Sequence, residues 1–261
     1  MKKKIFKPLV SIIINCYNGE KYLMKSIQSV LSQTYPNWEI IFFDNNSNDS
    51  SKKIIKKFSD NRIKYFCSKK THSLYKARNI AISKSKGEYI CFLDTDDTWL
   101  KDKLKIQLMY FKNNKNCKIL YSNYYNLHNS EKKKTIKFNK SKRFKNDTQN
   151  LINNYTIGIL TVMIKKEIFK KFNFRNFLNI IGDFEFFIRM SQKFRIHYIN
   201  KPLAIYRIHS SNFSKKKINI YIKELNNWIK TKKKDERFKY YNLKILLYKL
   251  KLKHYLSLLG V

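Results

Sequence analysis

An α/β fold with a mostly parallel central sheet covered by helices is what this sequence predicts, and three observations carry the prediction. From Val10 to Asn123, short apolar runs (VSIIIN, EIIFF, IKYFC, YICFL, ILYSN) alternate with longer segments of helical periodicity. The runs are apolar at nearly every position instead of every second one, which is how strands buried on both faces of a parallel sheet read. Polar residues gather just past the run ends, at Tyr17 and Asn18, at Asp44 to Asn46 and at Asp94 to Asp97. Open α/β sheets bind ligands outside the carboxyl ends of their strands, so these three groups are expected to meet in one crevice.

Taken in order, the first strand VSIIIN is followed by a helix over 21–33, and EIIFF by a helix over 50–58. IKYFC then precedes a helix over 74–85, YICFL precedes one over 100–113, and ILYSN closes the βαβ succession. From 128 to 147 the chain is polar and Lys-rich without Gly or Pro, and reads as a mobile loop or irregular insertion. Beyond it TIGILTVMI reads as a strand, IGDFEFFIRMSQKF as a loop entering a helix, and RIHYI and LAIYRI as two further strands. Residues 218–230 and 243–259 have the pattern of amphipathic helices. No internal repeat is present.

At 261 residues the chain is long enough for one large domain and a small appendage. Its formal net charge is +38, but the cations are 48 Lys and only 8 Arg, spread along the whole sequence. Arg carries most bidentate recognition of bases and phosphates, so no specific nucleic-acid partner is expected, while attraction to anionic membranes and phosphorylated substrates remains. Cys16, Cys67, Cys91 and Cys117 have no CxxC spacing, which argues against a zinc site or a disulfide framework and for reduced thiols in the cytoplasm. The start, MKKKIFKPLVSIIINC, is interrupted by Pro8 and has too short an apolar core for a signal peptide. No apolar stretch approaches the roughly 20 residues needed to span a bilayer, so membrane contact is expected to be peripheral.

The sharpest chemical signal is YICFLDTDDTW, where an apolar run stops at Asp94, Asp96 and Asp97. Only 18 acids stand against 56 cations in the chain, and three carboxylates within four positions repel one another unless a cation neutralises them. Capping of the following helix accounts for one acid but not for three. A divalent ion accounts for the group: Mg²⁺ and Mn²⁺ take one or two protein carboxylates and complete their shell with water and substrate phosphates, which points to a phosphate-bearing substrate.

With these motifs in hand, the sequence resembles family 2 inverting glycosyltransferases with the GT-A fold. VSIIINCYNGEKYLMKSIQSVLSQTYPNWEIIFFDNNSNDSS is similar to the family's nucleotide-binding start, and KARNIAISKSKGEYICFLDTDD to its second signature. GDFEFFIRM and YRIHSSNFS are similar to the acceptor-side helix and the closing strand. The chain departs from the family at Asn15 (usually Pro), at Asn45 (usually Asp) and at Gly182, where a Glu-Asp pair is usual. The resemblance implies a GT-A domain over 1–214, with a nucleotide-binding part at about 8–123 and an acceptor-side part at about 150–214. Residues 215–261 are expected to form a basic amphipathic helical extension.

It further implies transfer of a sugar from a nucleotide-diphosphate donor, a UDP-sugar by preference, to a glycan or lipid-linked glycan acceptor in bacterial surface polysaccharide synthesis, with Mn²⁺ or Mg²⁺. Tyr17 and Asp44 would receive the base, supported by Asn18, Asn45, Arg78 and Asn79. Asp94 and Asp96 would hold the ribose and the metal, with Asp97 the leading direct ligand and His209 a further one. Asp183 would be the base for the acceptor hydroxyl. Residues 183 and 185 lie about 200° apart on a helix, so Glu185 is expected as a sugar or acceptor ligand, or as the base in its place. Asp44 and Asn46 also suit an Asx turn, Asp183 a helix cap, and Trp99 either a pocket wall or packing. Two other readings remain open on the sequence, a basic nucleotide- or nucleic-acid-binding protein and a catalytically inactive transferase-like subunit.

Overall fold

The structure is a computed structural model that describes residues 6–128, 133–138, 148–210, 212 and 217–258. Its first half is the expected βαβ succession. Strands β1 (Val10–Cys16), β2 (Trp38–Asp44), β3 (Ile63–Cys67) and β4 (Tyr89–Phe92) lie parallel in the order β3-β2-β1-β4, with β1 and β2 paired from Val10↔Trp38 to Cys16↔Asp44. Helices α1 (Glu20–Leu31), α2 (Ser51–Lys56) and α3 (Leu74–Lys84) make the crossovers.

Because successive strand residues point to opposite faces, the apolar runs feed two cores. Ile12, Ile14, Ile40 and Phe42 pack with Leu23, Ile27 and Val30 of α1 and with Leu104 and Leu108 of α4 (Lys103–Asn113). Ile13, Ile41, Phe43, Ile90 and Phe92 pack on the other face with Ala77 and Ala81 of α3 and with Phe186 and Phe187 of α6 (Gly182–Ser191). Uniformly apolar strands are the consequence of having a helical layer on each side.

Beyond β4 the sheet is mixed. The nine-stranded order continues β4-β8-β6-β9-β5, with β8 (Met163–Lys165) antiparallel between β4 and β6 (Ile119–His128), and β9 (Ile196–Ile208) parallel to β6. The two-residue strand β5 (Thr98–Trp99) pairs antiparallel with Ile205 and Ala204 of β9, and it is this pairing that draws β9 against the Asp94–Asp97 turn.

Several sequence expectations are corrected here. TIGILTVMI is a 3-10 turn over Ile159–Thr161 followed by β8, because the Thr161 hydroxyl donates to the Gly158 carbonyl at 2.6 Å and closes the turn. RIHYI and LAIYRI are one strand, β9, whose break near Pro202 is absorbed by register shifts opposite Ser122 to Tyr125 of β6. Within the stretch expected to be irregular, β7 (Lys134–Ile136) pairs with β6, while 129–132 and 139–147 lie outside the described residues. A short helix α5 (Thr148–Asn153) was not expected.

The C-terminal helices α7 (Ile218–Lys233) and α8 (Lys244–Leu258) are joined through a 3-10 turn at Glu236–Phe238. Leu225, Trp228 and Ile229 of α7 and Leu246 and Leu250 of α8 belong to the same core as α6, and the Trp228 ring meets Phe184 edge-on at 5.1 Å. Among the described residues no helix is long and apolar enough to cross a membrane.

Candidate active site

The three polar groups read from the sequence meet at the carboxyl ends of the parallel strands. Asp44, the last residue of β2, is buried. It accepts the Tyr65 hydroxyl at 2.8 Å on Oδ2 and the Ser47 amide at 2.8 Å on Oδ1, so the Asx-turn geometry and a rigidly aimed carboxylate coexist. Asn18 and Asn46 hold positive φ (53° and 67°), a region Asn tolerates better than other side chains. The Asn18 carboxamide oxygen accepts the Asn48 amide at 2.9 Å, and the Asn18 backbone N–H donates to the Ser47 hydroxyl at 3.0 Å. Tyr17, beside this knot, is 58% exposed and presents a free ring face at the strand end.

Gly19 lets the acidic turn approach. A Cβ there would lie 2.7 Å from the Thr95 hydroxyl, so only glycine allows the turn of residues 94–97 to pack against the start of α1. Asn45 and Asn79 are committed to loop geometry. Asn45 exchanges hydrogen bonds with the backbone of His72 (2.9 Å each way), and Asn79 binds both the Phe174 carbonyl at 2.8 Å and the Phe174 amide at 3.1 Å. Each brackets two loops of the crevice.

At the centre stands Arg78 of α3, 2% exposed, its guanidinium packed among the Tyr75, Phe92 and Phe174 rings at 5.4–5.5 Å. Nη1 donates to Asp183 Oδ1 at 2.6 Å and Nη2 to Asp94 Oδ1 at 3.4 Å, while Nε is buried without a partner. One cation therefore links Asp94, just past the end of β4, to Asp183 at the start of α6. Desolvation in the crevice pushes the Asp94 carboxyl up to about 6, with Arg78 opposing and Asp96 and Asp183 adding to the rise. Burial likewise raises Asp183, against the pull of Arg78.

The rest of the acidic turn divides in a way the sequence did not reveal. Asp96 Oδ2 lies 3.0 Å from His209 Nε2, and the Asn212 amide, 3.4 Å from the same oxygen, also donates to the Arg207 carbonyl at 3.1 Å. The expected leading metal ligand, Asp97, is instead 1% exposed and turned inward, where its Oδ1 accepts the Arg207 amide at 2.9 Å. Burial, reinforced by the neighbouring Asp96 and Asp94, holds its carboxyl well above the usual carboxylate range. The physical reason is β5: pairing Thr98 with β9 rotates residue 97 into the sheet and leaves 96 facing out.

Among the described residues no cluster of three or more His, Cys, Asp or Glu stands together as a metal set. Asp96 and His209 still fit an ion of the Mg²⁺ or Mn²⁺ kind, which commonly takes one or two protein ligands and fills its shell with water and substrate phosphates.

Glu185 does not share the crevice with Asp183. It is buried and held bidentately by Arg189 (Nε to Oε1 3.0 Å, Nη2 to Oε2 3.1 Å), with Arg175 at 3.7 Å. Trp99 is packing: it is buried, its indole N–H donates to the Leu160 carbonyl at 2.8 Å, and the Lys103 ammonium sits 4.1 Å from the ring centre.

Gly182 has its own explanation, because a Cβ there would lie 2.3 Å from the Tyr75 ring, whose hydroxyl is anchored on the Ile180 carbonyl at 2.9 Å. Tyr75 fills the space that a side chain at 182 would need. Gly182→Ala is therefore expected to cost about 1–3 kcal/mol of stability, as overpacking of a filled core does, read from the urea midpoint at constant m.

Sequence reasoning missed Tyr65, Arg207 and Asn212. Arg207 donates Nε to the Asp96 carbonyl at 3.0 Å and lies 4.7 Å from the Tyr22 ring centre, clamping the acidic turn from β9. Its signal was available: it is one of only 8 Arg and sits two residues before His209.

Comparison with known proteins agrees with this architecture. The model of the family described as Glycosyl transferase family 2 matches residues 11–172. The Escherichia coli UDP-Glc:alpha-D-GlcNAc-diphosphoundecaprenol beta-1,3-glucosyltransferase WfgD is 36% identical over 173 residues, covering 64% of this chain and 64% of WfgD. The Bacillus subtilis putative teichuronic acid biosynthesis glycosyltransferase TuaG is 32% identical over 217 residues, 81% of this chain and 84% of TuaG. A crystal structure of S. aureus TarS superposes with a TM-score of 0.68 at 19% identity, covering 84% of this chain and 63% of that one. At that identity the likeness shows the fold alone, a GT-A type α/β architecture. The chain thus spans just under two thirds of both WfgD and the TarS structure. Asp183, Glu185 and His209 all lie beyond the family match. On the match over 11–172 and the identity to TuaG over most of both chains, the protein belongs to glycosyl transferase family 2, a family of glycosyltransferases.

Proposed function

We propose that this glycosyltransferase moves a sugar, with inversion, from a UDP-sugar to a hydroxyl of a lipid-linked glycan in bacterial surface polysaccharide synthesis, using Asp183 as the base. The observation that carries the proposal is the bridge from Asp94 through Arg78 to Asp183, which holds a half-buried carboxylate at one end of the crevice, joined through a single cation to the acidic turn. The relatives support the substrate classes: WfgD is named for UDP-Glc and a GlcNAc-diphosphoundecaprenol acceptor, and TarS has been crystallised with UDP-GlcNAc.

In this reading the Tyr17 ring supports the base, the Asp44 carboxylate orients its edge, and Asp94 meets the ribose. The acceptor hydroxyl attacks the anomeric carbon from the face opposite the diphosphate. A carbon–oxygen bond forms, the bond to the β-phosphate oxygen breaks, and the proton passes to Asp183. Arg78 occupies Asp183 Oδ1, so Oδ2 is the oxygen that takes it. Asp96 and His209 would hold a Mn²⁺ or Mg²⁺ ion, which when bound neutralises charge developing on the leaving diphosphate. The mannosyltransferase PcManGT of Pyrobaculum calidifontis, a fold neighbour with a TM-score of 0.62 at 14% identity, has been crystallised with GDP-Man and Mn2+.

Hydrolysis and transfer with a panel of UDP-, GDP- and dTDP-sugars test the proposal. One donor is expected to be consumed with Mn²⁺ and not with EDTA, and Asp96→Asn or His209→Ala is expected to weaken Mn²⁺-dependent UDP binding in titration calorimetry as well as turnover. Equal UDP affinity with and without Mn²⁺ in all three proteins would remove the metal from the proposal. Turnover of no donor in the presence of acceptor would favour the inactive, transferase-like subunit.

We also propose peripheral contact with an anionic membrane through α8. Tyr248, Leu252 and Tyr255 are exposed along one side of that helix, with Lys244 and Lys251 exposed beside them. Flotation with vesicles rich in anionic lipid is expected to carry the protein up, and Tyr248→Ser with Tyr255→Ser to weaken this several-fold. Equal flotation of the double variant would show that lysine charge alone is responsible.

A further inference from the structure

The turn that carries Asp183 is not capped by its own side chains. Helix α6 begins at Gly182, and its N-cap residue, Ile181, has no side-chain acceptor to offer the free amides of the first turn. Just ahead of the helix, the backbone N–H groups of Asn179, Ile180 and Ile181 all donate to one carboxylate, that of Glu224 on α7. Asn179 N reaches Oε1 at 2.6 Å, Ile180 N and Ile181 N reach Oε2 at 2.9 and 3.1 Å, and the Asn179 side-chain amide adds a fourth bond to Oε1 at 3.1 Å. The acceptor thus comes from a different helix, more than 40 residues downstream and beyond the segment that matches the family model.

We infer that Glu224 is a positioning residue for Asp183: by tying residues 179–181 to α7 it decides where α6 begins, and so where the Asp183 carboxylate stands against Arg78. The inference rests on the proposed role of Asp183 as base. The same segment is held from the opposite side by α3 and the residue before it, through Tyr75 Oη on the Ile180 carbonyl at 2.9 Å and Ser73 Oγ on the Asn176 carbonyl at 2.5 Å. Glu224 is thus the second jaw of a clamp. Its own helix is rigidly placed, since Leu225, Trp228 and Ile229 are buried in the core that α6 shares. The Glu224 anion also sits where a helix N-terminus attracts negative charge. A displacement of about 1 Å in a reacting group costs on the order of 10²-fold in rate, so a carboxylate that sets a helix start has leverage without touching substrate.

The test uses the full chain, with Glu224→Ala and Glu224→Gln made in the wild type and in an Asp183→Asn background. The substrates are UDP-glucose and α-GlcNAc-diphosphate carried on a long alkyl chain. Glu224→Ala is expected to raise amide exchange at 179–183 selectively and to lower kcat on the order of 10- to 100-fold, with the donor KM within about twofold. Glu224→Gln, which keeps one acceptor oxygen, is expected to recover part of the loss, and neither change should slow the Asp183→Asn protein further. An unchanged kcat, or the same fold loss in the Asp183→Asn background, overturns the inference. Should Glu224→Ala not fold, Glu224→Gln carries the same comparison. Absence of wild-type turnover on this pair counts against the proposed function, whereas unchanged exchange at 179–183 counts against Glu224 alone.

Discussion

Asp183→Asn is expected to lower kcat by about 10²- to 10⁴-fold, the range general-base removal commonly covers, while UDP affinity stays within a few-fold. The substitution keeps the volume and leaves the carboxamide oxygen as an acceptor for Arg78, so the bridge to Asp94 is retained and only the proton acceptor is lost. The wild-type pH profile supplies a second check. A base works when deprotonated, so turnover falls as pH drops through the Asp183 value, and burial places that value above the ordinary 3.8 despite the opposing pull of Arg78. The acid limb should therefore lie above that of an exposed carboxylate. Wild-type kcat in Asp183→Asn, with Glu185→Gln inactive, would transfer the role to Glu185, against its bidentate engagement by Arg189.

Arg78→Met is expected to have the largest effect on stability and to abolish turnover as well. Methionine suits the aromatic surroundings of the guanidinium, so packing is largely preserved and the loss reports charge. Without the cation, Asp94 and Asp183 face each other unneutralised. Breaking a buried pair by removing one partner costs about 3–5 kcal/mol, and the lower end applies because both carboxylates keep some contact with water. The measurement is the urea unfolding midpoint at neutral pH and again near pH 4. Protonation relieves the unpaired acids, so the deficit should shrink as pH falls. A deficit that does not change with pH would mean that Arg78 acts through packing and not through charge.

Much of the donor half was legible in the sequence because its determinants are local. Apolar runs at strand length and polar residues at their ends place Tyr17, Asp44 and Asp94 at one sheet edge by chain connectivity alone, and the structure puts them there. Asp44 and Asn46 were legible as an Asx turn for the same reason. The orientation of the acidic turn was not. The side on which Asp97 points depends on the two-residue strand β5 and its pairing with β9, more than 100 residues later, and no periodicity within YICFLDTDDTW records that pairing.

Asn45 and Asn79 show a related limit. A carboxamide serves equally for a ligand and for a neighbouring loop, and the loops at His72 and Phe174 that engage them are brought there by folding. The sequence by itself determined the layered α/β architecture and the crevice at the carboxyl ends of β1, β2 and β4, since these follow from hydrophobic patterning and chain order, and its motifs carried the resemblance to the family. Tertiary structure alone decided that Arg78 joins Asp94 to Asp183, that Asp96 and not Asp97 stands beside His209, and that a C-terminal helix caps the turn bearing Asp183. Each of these is a contact between polar groups distant in sequence, whose free energy depends on burial and on a few tenths of an ångström, quantities that exist only once the chain has packed.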